Sequence, residues 1–329
     1  MREEDIRKRE KFNRYLELVE KDARKIFADK QRFLEVACPA CGGENLNPQF
    51  EKIGFNYVLC ENCQTLFVNP RPGAEELNEF YINSESTSFW VEEFFKPVAE
   101  IRREKIFRPR AEFVRDKFSF SAPKIVGDIG AGFGIFLEEL SKLWPSAKMT
   151  AIEPSSEMSE ICRQKGLEVM PCTLEEVDCK NNQFDLLTAF ELFEHLHNPG
   201  KFLEKIRALL RPGGHLLLTT QNGEGFDIKV LWEKSKSIAP PHHLNFFNPD
   251  SISFLLKSKG FVVEEVLTPG QLDWDIVEGM YQKEGVFPGR FWELVAKKAS
   301  PEAKDKLQSW ISENKLSSHM QILCQKPVL

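Results

Sequence analysis

Lys124-Ile125-Val126-Gly127-Asp128-Ile129-Gly130-Ala131-Gly132-Phe133-Gly134 is the stretch from which the fold is read. An apolar run ends in three glycines spaced two apart, and Ile135 to Leu143 then continue with helical spacing. A strand, a glycine turn and a helix in that order put backbone N–H groups and close-approach glycines at a ligand crevice, at the carboxyl end of the strand. The dinucleotide fingerprint GxGxxG needs a small residue at position 135, which is Ile, so NAD is disfavoured. The spacing present is DxGxGxG.

Working outward, short apolar runs alternate with amphipathic stretches on the carboxyl side of Ser119, and this βαβα rhythm predicts an α/β fold with a parallel sheet covered by helices. Strands are expected over 124–129, 148–153, 167–170, 184–190, 214–220, 261–267 and 318–325, with a helical insertion at about 272–316. Met149 to Ser155 reads as a strand ending in the acid Glu153, and Phe184 to His195 as a strand with its following loop. Leu209-Leu210-Arg211-Pro212-Gly213-Gly214 reads as a helix end, with the glycines as its C-cap, before a fifth strand.

These stretches resemble, in order and spacing, the class I S-adenosylmethionine-dependent methyltransferases, whose Rossmann-like sheet has seven strands. The resemblance covers roughly residues 120–270. It implies S-adenosyl-L-methionine as cofactor, with Asp128, Gly130, Ala131, Gly132 and Gly134 around its amino-acid end. Glu153 would take the ribose, with Pro154 and Ser155 near the adenine. Cys172, Thr173 and Leu174 fall where the family often places an adenine contact, and Phe190 and Glu191 would line the methyl-donor pocket. His195 stands behind that pocket or fills a structural role.

Catalytic candidates follow the fifth strand, in Pro240-Pro241-His242-His243-Leu244-Asn245-Phe246-Phe247-Asn248-Pro249. Asn248 before Pro249 is a helix start, so the histidines sit on a loop at the cofactor end of the sheet. An imidazole there can remove a proton from an acceptor at neutral pH. His242 is expected to do the chemistry and His243 to hold the turn, with Glu191 the third catalytic candidate.

Eight cysteines are too few for a disulfide scaffold, but Cys38, Cys41, Cys60 and Cys63 form two CxxC pairs 18 residues apart. This is zinc-ribbon spacing, in which four thiolates close a tetrahedral, structural Zn²⁺ site. Two disulfides or four free thiols are the alternative. Gly42 and Gly43 are expected to supply the positive φ of the first knuckle. The chain divides into an amphipathic helix (1–35), the ribbon (36–73), a helical connector or lid (74–118) and the methyltransferase domain (119–329).

The 329 residues carry 44 Lys+Arg against 50 Asp+Glu, a net charge of −6. Such a balance argues against a broad phosphate-binding face. Membrane spans are not expected either, because the apolar runs fall far short of about 20 residues. The charged start lacks a signal peptide's apolar stretch, and the protein is expected in the cytoplasm. Twenty-seven Phe against four Tyr point to interior packing or an apolar pocket.

A ribbon ahead of this domain is similar to the zinc-containing C-methyltransferases of deoxysugar biosynthesis. That similarity implies a small-molecule acceptor, a nucleotide-linked sugar, with Tyr81, Trp90, Phe94, Phe95 and the basic run near Arg102 as its wall. RNA methylation guided by the ribbon is the alternative enzyme, but residues 37–72 hold only Lys52 and Arg71 against Glu44, Glu51 and Glu61. A scaffold with a relic fold is the non-enzymatic alternative, and the intact glycine turn speaks against it.

Overall fold

The computed structural model describes residues 2–179 and 184–328, so Met1 and Leu329, the outer limits of the expected domains, lie outside the described residues. In chain order its strands are β1 (Leu46–Lys52), β2 (Phe55–Cys60), β3 (Leu66–Val68), β4 (Ile125–Ile129), β5 (Lys148–Ile152), β6 (Glu168–Met170), β7 (Phe184–Phe190), β8 (Leu210–Gln221), β9 (Asn245–Phe246), β10 (Val262–Leu267) and β11 (His319–Gln325). Seven of them make one sheet in the order β10-β11-β8-β7-β4-β5-β6. Neighbours from β8 to β6 run parallel, and β11 is antiparallel to both β8 and β10. This is the class I methyltransferase arrangement expected from the β4 stretch.

β4 sits inside the sheet, between β7 and β5, because both faces of its apolar run are covered. Val126, Leu186 and Leu217 join Phe136, Leu137 and Leu140 in one core, while Ile129, Ala189 and Leu218 join Phe202, Leu203 and Ile206 in the other. Each fully buried side chain of that size contributes about 1.5–3 kcal/mol. Gly127 leaves space for its neighbours, since a Cβ there would come within 2.7 Å of Leu187 and 2.8 Å of the Phe184 ring.

Gly213 and Gly214 do not cap a helix. The helix Pro199–Leu209 ends before them, and both lie in β8, which starts four residues earlier than expected. Gly213 takes a left-handed φ of +77°, and Gly214 is there for close approach, since a Cβ on it would meet the Arg211 and Phe184 carbonyl oxygens at 2.9 Å.

Three of the four strands of a second sheet come from the cysteine region and the fourth from the histidine loop. Its order is β1-β2-β3-β9, all antiparallel, with Leu66 opposite Phe246 and Phe67 opposite Asn245. Cys38, Val58, Cys60 and Phe67 also share a core with Phe193, Phe247 and Ile252. Against this body packs the helix Arg9–Ile26, burying Phe12, Tyr15, Leu18, Val19 and Ala23. Trp90 and Phe94 stack on each other (4.3 Å) and meet Tyr15 and Phe12, so these two wall candidates serve the packing of the first helix. Three helices, Asp273–Glu284, Arg290–Lys298 and Pro301–Glu313, lie between β10 and β11. No helix among the described residues is long and apolar enough to cross a membrane.

Candidate active site

At the carboxyl end of β4 the chain makes three left-handed steps, with φ of +68° at Gly130, +55° at Gly132 and +66° at Gly134. Side chains are strained in that region, which is why glycines stand there. Glu153, just past β5, is buried beside this turn. Its Oε2 accepts the Gly132 N–H (2.8 Å) and its Oε1 the Ser155 N–H (2.9 Å). Each oxygen keeps a second lone pair. Ser155 caps the helix Ser156–Gln164, and Pro154 is exposed next to it. Asp128 accepts the Thr188 hydroxyl at 2.6 Å, and burial lifts its carboxyl to about 7.

The end of β7 supplies the charged wall. Glu191 takes a left-handed φ of +52°, an uncommon conformation for a non-glycine residue. Thr219 on β8 donates its hydroxyl to Oε1 at 2.6 Å; His319 Nδ1 lies 3.3 Å and Arg110 Nη2 3.7 Å from the same oxygen. Burial alone would raise the Glu191 carboxyl, but His319, Arg110, the Thr219 hydroxyl and Arg102 together hold it down at about 2. Arg110 lies over the Phe190 ring at 4.2 Å. Cys172 and Thr173 follow β6; Thr173 donates its N–H to Glu176, and Leu174 is buried in the core.

The paired histidines face different surroundings. His242 is buried among Phe80 (4.9 Å), Tyr81 (5.4 Å) and Tyr15 (5.8 Å), and its Nε2 has no hydrogen-bond partner. His243 donates its Nδ1–H to the Ser237 carbonyl at 2.5 Å, which leaves its Nε2 lone pair free. Its own carbonyl accepts the Tyr57 hydroxyl at 2.7 Å, a clamp from β2. His195 donates Nδ1–H to the His242 carbonyl (2.9 Å), with the Tyr81 oxygen 3.2 Å away. A Glu194 oxygen and one ring nitrogen each of His195 and His243 lie within 4.8 Å of one another. Burial pushes His243 down to about 4 and His195 to about 3, so both rings are neutral near pH 7.

The four ribbon cysteines converge on one point. Sγ of Cys38 is 3.5 Å from that of Cys63, Sγ of Cys41 is 3.6 Å from that of Cys60, and all four lie within 4.8 Å. A tetrahedral ion with bonds of about 2.3 Å needs edges of about 3.8 Å, so the donor set and its spacing fit Zn²⁺. Of the knuckle glycines only Gly42 has positive φ (+71°). Gly43 is there for contact, as a Cβ would come within 2.5 Å of the Asn62 amide.

Residues 98–266, just over half of the chain, match the family model described as methyltransferase domain. The chain belongs to this methyltransferase family. The methyltransferase is 26% identical over 170 residues to the ubiquinone biosynthesis O-methyltransferase of Xanthomonas euvesicatoria pv. vesicatoria (strain 85-10), a match covering 48% of this chain and 70% of that one. To the enzyme of the same name from Vibrio vulnificus (strain YJ016) it is 30% identical over 154 residues, covering 44% of this chain and less than two thirds (63%) of that one. The plantazolicin methyltransferase BpumL, solved in complex with SAH, shares the fold at a TM-score of 0.50 and 15% identity, over 76% of this chain and 94% of BpumL.

Several residues of this methyltransferase site were not legible beforehand. Arg110 precedes β4 by fifteen residues in a helix that reads as ordinary connector, and Thr188 and Thr219 look like strand filler. Their signal lies only in which strand ends adjoin.

Proposed function

We propose that this methyltransferase uses S-adenosylmethionine to methylate a small molecule held between the connector, the histidine loop and the carboxyl end of the sheet. The observation that carries the reading is the left-handed turn Gly130–Gly134 beside a buried Glu153 whose two oxygens each keep a lone pair. Those lone pairs suit the two ribose hydroxyls, and the glycines let the cofactor's amino-acid end approach the backbone. Pro154, Ser155, Cys172, Thr173 and Leu174 are proposed for the adenine side, and Asp128, Ala131, Phe190 and Glu191 for the donor end. The bound cofactor would supply an electrophilic methyl group. The chain's own task is to orient the acceptor, worth about 7–11 kcal/mol at best, and to take its proton.

For the base, the geometry supports His243 over His242, the reverse of the expected division. With Nδ1–H fixed on Ser237, Nε2 is the proton acceptor, and the carbonyl on Nδ1 stabilises the imidazolium that forms. His242, caged by aromatic rings, is proposed as a shaping residue. Cys38, Cys41, Cys60 and Cys63 are proposed to hold a structural zinc, whose closed shell leaves no position for substrate.

The acceptor is proposed to be a nucleotide-linked sugar or related metabolite, by similarity to the zinc-containing deoxysugar C-methyltransferases. Relatives named for ubiquinone biosynthesis favour a small molecule as well. RNA guided by the ribbon is disfavoured further: Arg71 is buried with its guanidinium on the Val68 and His197 carbonyls, and Lys52 donates to the Ser235 carbonyl at 2.6 Å. Neither ribbon cation is free for phosphate.

The test is equilibrium binding of S-adenosylhomocysteine, followed by a labelled-methyl assay against nucleotide sugars, phenolic metabolites and total RNA. Binding with label transfer to a nucleotide sugar is expected. No binding of S-adenosylhomocysteine to zinc-replete protein would sink the proposal, and label on RNA alone would replace the acceptor.

A further inference from the structure

Arg102 and Arg110 lie beside Glu191, and Arg7, from a segment about a hundred residues away, is near enough for Arg102 to feel its charge. Arg102 feels the charges of Arg7, Glu191 and Arg110, and Arg110 those of Glu191 and Asp128. The connector is wound to achieve this. In an unbroken α-helix the eight residues from Arg102 to Arg110 would set the two side chains about 80° apart around the axis. A π turn at Arg103–Phe107 takes up one residue and returns them to within about 20°.

The charges in this cluster do not balance. Arg110 has one carboxylate, Glu191, at 3.7 Å, and Arg7 has Glu3 at 3.6 Å. Arg102 makes no hydrogen bond or ion pair among the described residues. It lies over the Phe95 ring at 4.9 Å with Nε buried and unpartnered. Of the acids that face the group, Glu191 is held by Thr219 and Asp128 by Thr188, while burial and the nearby Asp273 push the Asp227 carboxyl well up. Three guanidiniums thus face two carboxylates, Glu191 and a Glu3 that is shared with Arg9, and an excess of buried charge persists where a partner arrives to pair it.

We infer that Arg7, Arg102 and Arg110 form an oxyanion-binding subsite for the methyl acceptor, so that the acceptor carries a phosphate or carboxylate group. The planar fork of arginine pairs with two oxygens of either group at once. The subsite adjoins Glu191 and Phe190 at the end of β7, so an acceptor anchored there presents its reactive atom toward His243, which also feels the charge of Arg7. The inference rests on the methyl-transfer reading and narrows its substrate to an anion.

The experiment uses the full chain saturated with S-adenosylhomocysteine, titrated calorimetrically with inorganic pyrophosphate and, separately, with succinate. At least one probe is expected to bind, and the tighter one tells phosphate from carboxylate. Arg102→Gln should weaken that probe about tenfold or more, the scale of a charge-assisted hydrogen bond, while Arg102→Lys loses less and S-adenosylhomocysteine affinity stays within about twofold. Should Arg102→Gln fail to fold, Arg7→Gln, in the extended link between the helices Glu3–Ile6 and Arg9–Ile26, must show the same selective loss. Equal probe affinity in wild type and variants, or no probe binding, overturns the subsite. It is also overturned if Arg102→Gln loses S-adenosylhomocysteine but not methylthioadenosine, because the arginines then hold the cofactor's own carboxylate. Failure of wild type to bind S-adenosylhomocysteine at all would instead strike the methyl-transfer reading.

Discussion

The cysteine cluster and the pocket at the end of the central sheet both gather reactive side chains, yet they treat them in opposite ways. Around the cysteines the groups are matched: four sulfurs face one point, the Cys38 N–H meets the Gly43 carbonyl, and the Gly42 N–H meets that of Cys38. In the pocket Arg102 Nε, His242 Nε2 and Asp227 Oδ1 are buried without partners, and Glu191 holds a left-handed backbone. Buried polar groups are nearly always paired. The four thiols form a closed set, whereas the groups near Glu191 are left open; the ribbon sheet is not wholly matched either, since Arg71 Nη2 and Asn245 Oδ1 are also buried without partners. The two are joined, because β3 pairs with β9 and Asn248 donates its amide to the Cys63 carbonyl at 2.9 Å.

The contrast breaks most visibly by removing metal. Structural zinc is worth about 10–16 kcal/mol in small peptides, so chelation, or Cys60→Ser, should abolish the cooperative thermal transition and, through β9, methyl transfer. A variant that melts like wild type would make the cluster dispensable. In the pocket, His243→Ala should lower kcat about 10²–10⁴-fold with S-adenosylhomocysteine affinity retained, and His242→Ala should cost less; equal losses in turnover would remove the assigned base. Glu153→Ala should weaken S-adenosylhomocysteine about 10–100-fold by calorimetry, the value of hydrogen bonds to a charged group.

Smaller effects sharpen the comparison within the glycine turn. A Cβ on Gly134 meets Leu167 at 2.7 Å and Cys162 at 2.9 Å, so Gly134→Ala should cost about 1–3 kcal/mol in a denaturant titration. At Gly132 nothing lies within 4 Å, and alanine there should cost about 1 kcal/mol, from its φ alone. Least perturbing is a pH titration followed by imidazole NMR. His195 and His243 have folded values depressed by burial, so both stay neutral from pH 8 down to 5; His243 protonates only as pH falls through about 4 and His195 through about 3. Titration of either near 6.5 would mean an open, hydrated loop.

The glycine turn and the cysteine pairs were readable because each is local: a strand, three glycines and a helix within twenty residues, or two short knuckles with a fixed reach. Gly213 and Gly214 were misread for the converse reason. A helix cap is a local signal, whereas the contact that requires Gly214 is with Phe184, thirty residues away on another strand. The different surroundings of His242 and His243 were equally hidden, since Ser237 and Tyr57, which hold His243, come from other parts of the chain.

By itself the sequence determined the periodicities, the glycine turn, the acid after the second strand of the central sheet and the spacing of four thiols, each fixed by covalent reach and local sterics. Only the tertiary structure decided that the ribbon lends strands to the histidine loop, and that Arg102 feels the charge of Arg7. Those pairings join residues scores of positions apart, and the burial that brings them together belongs to the whole fold, to no single segment.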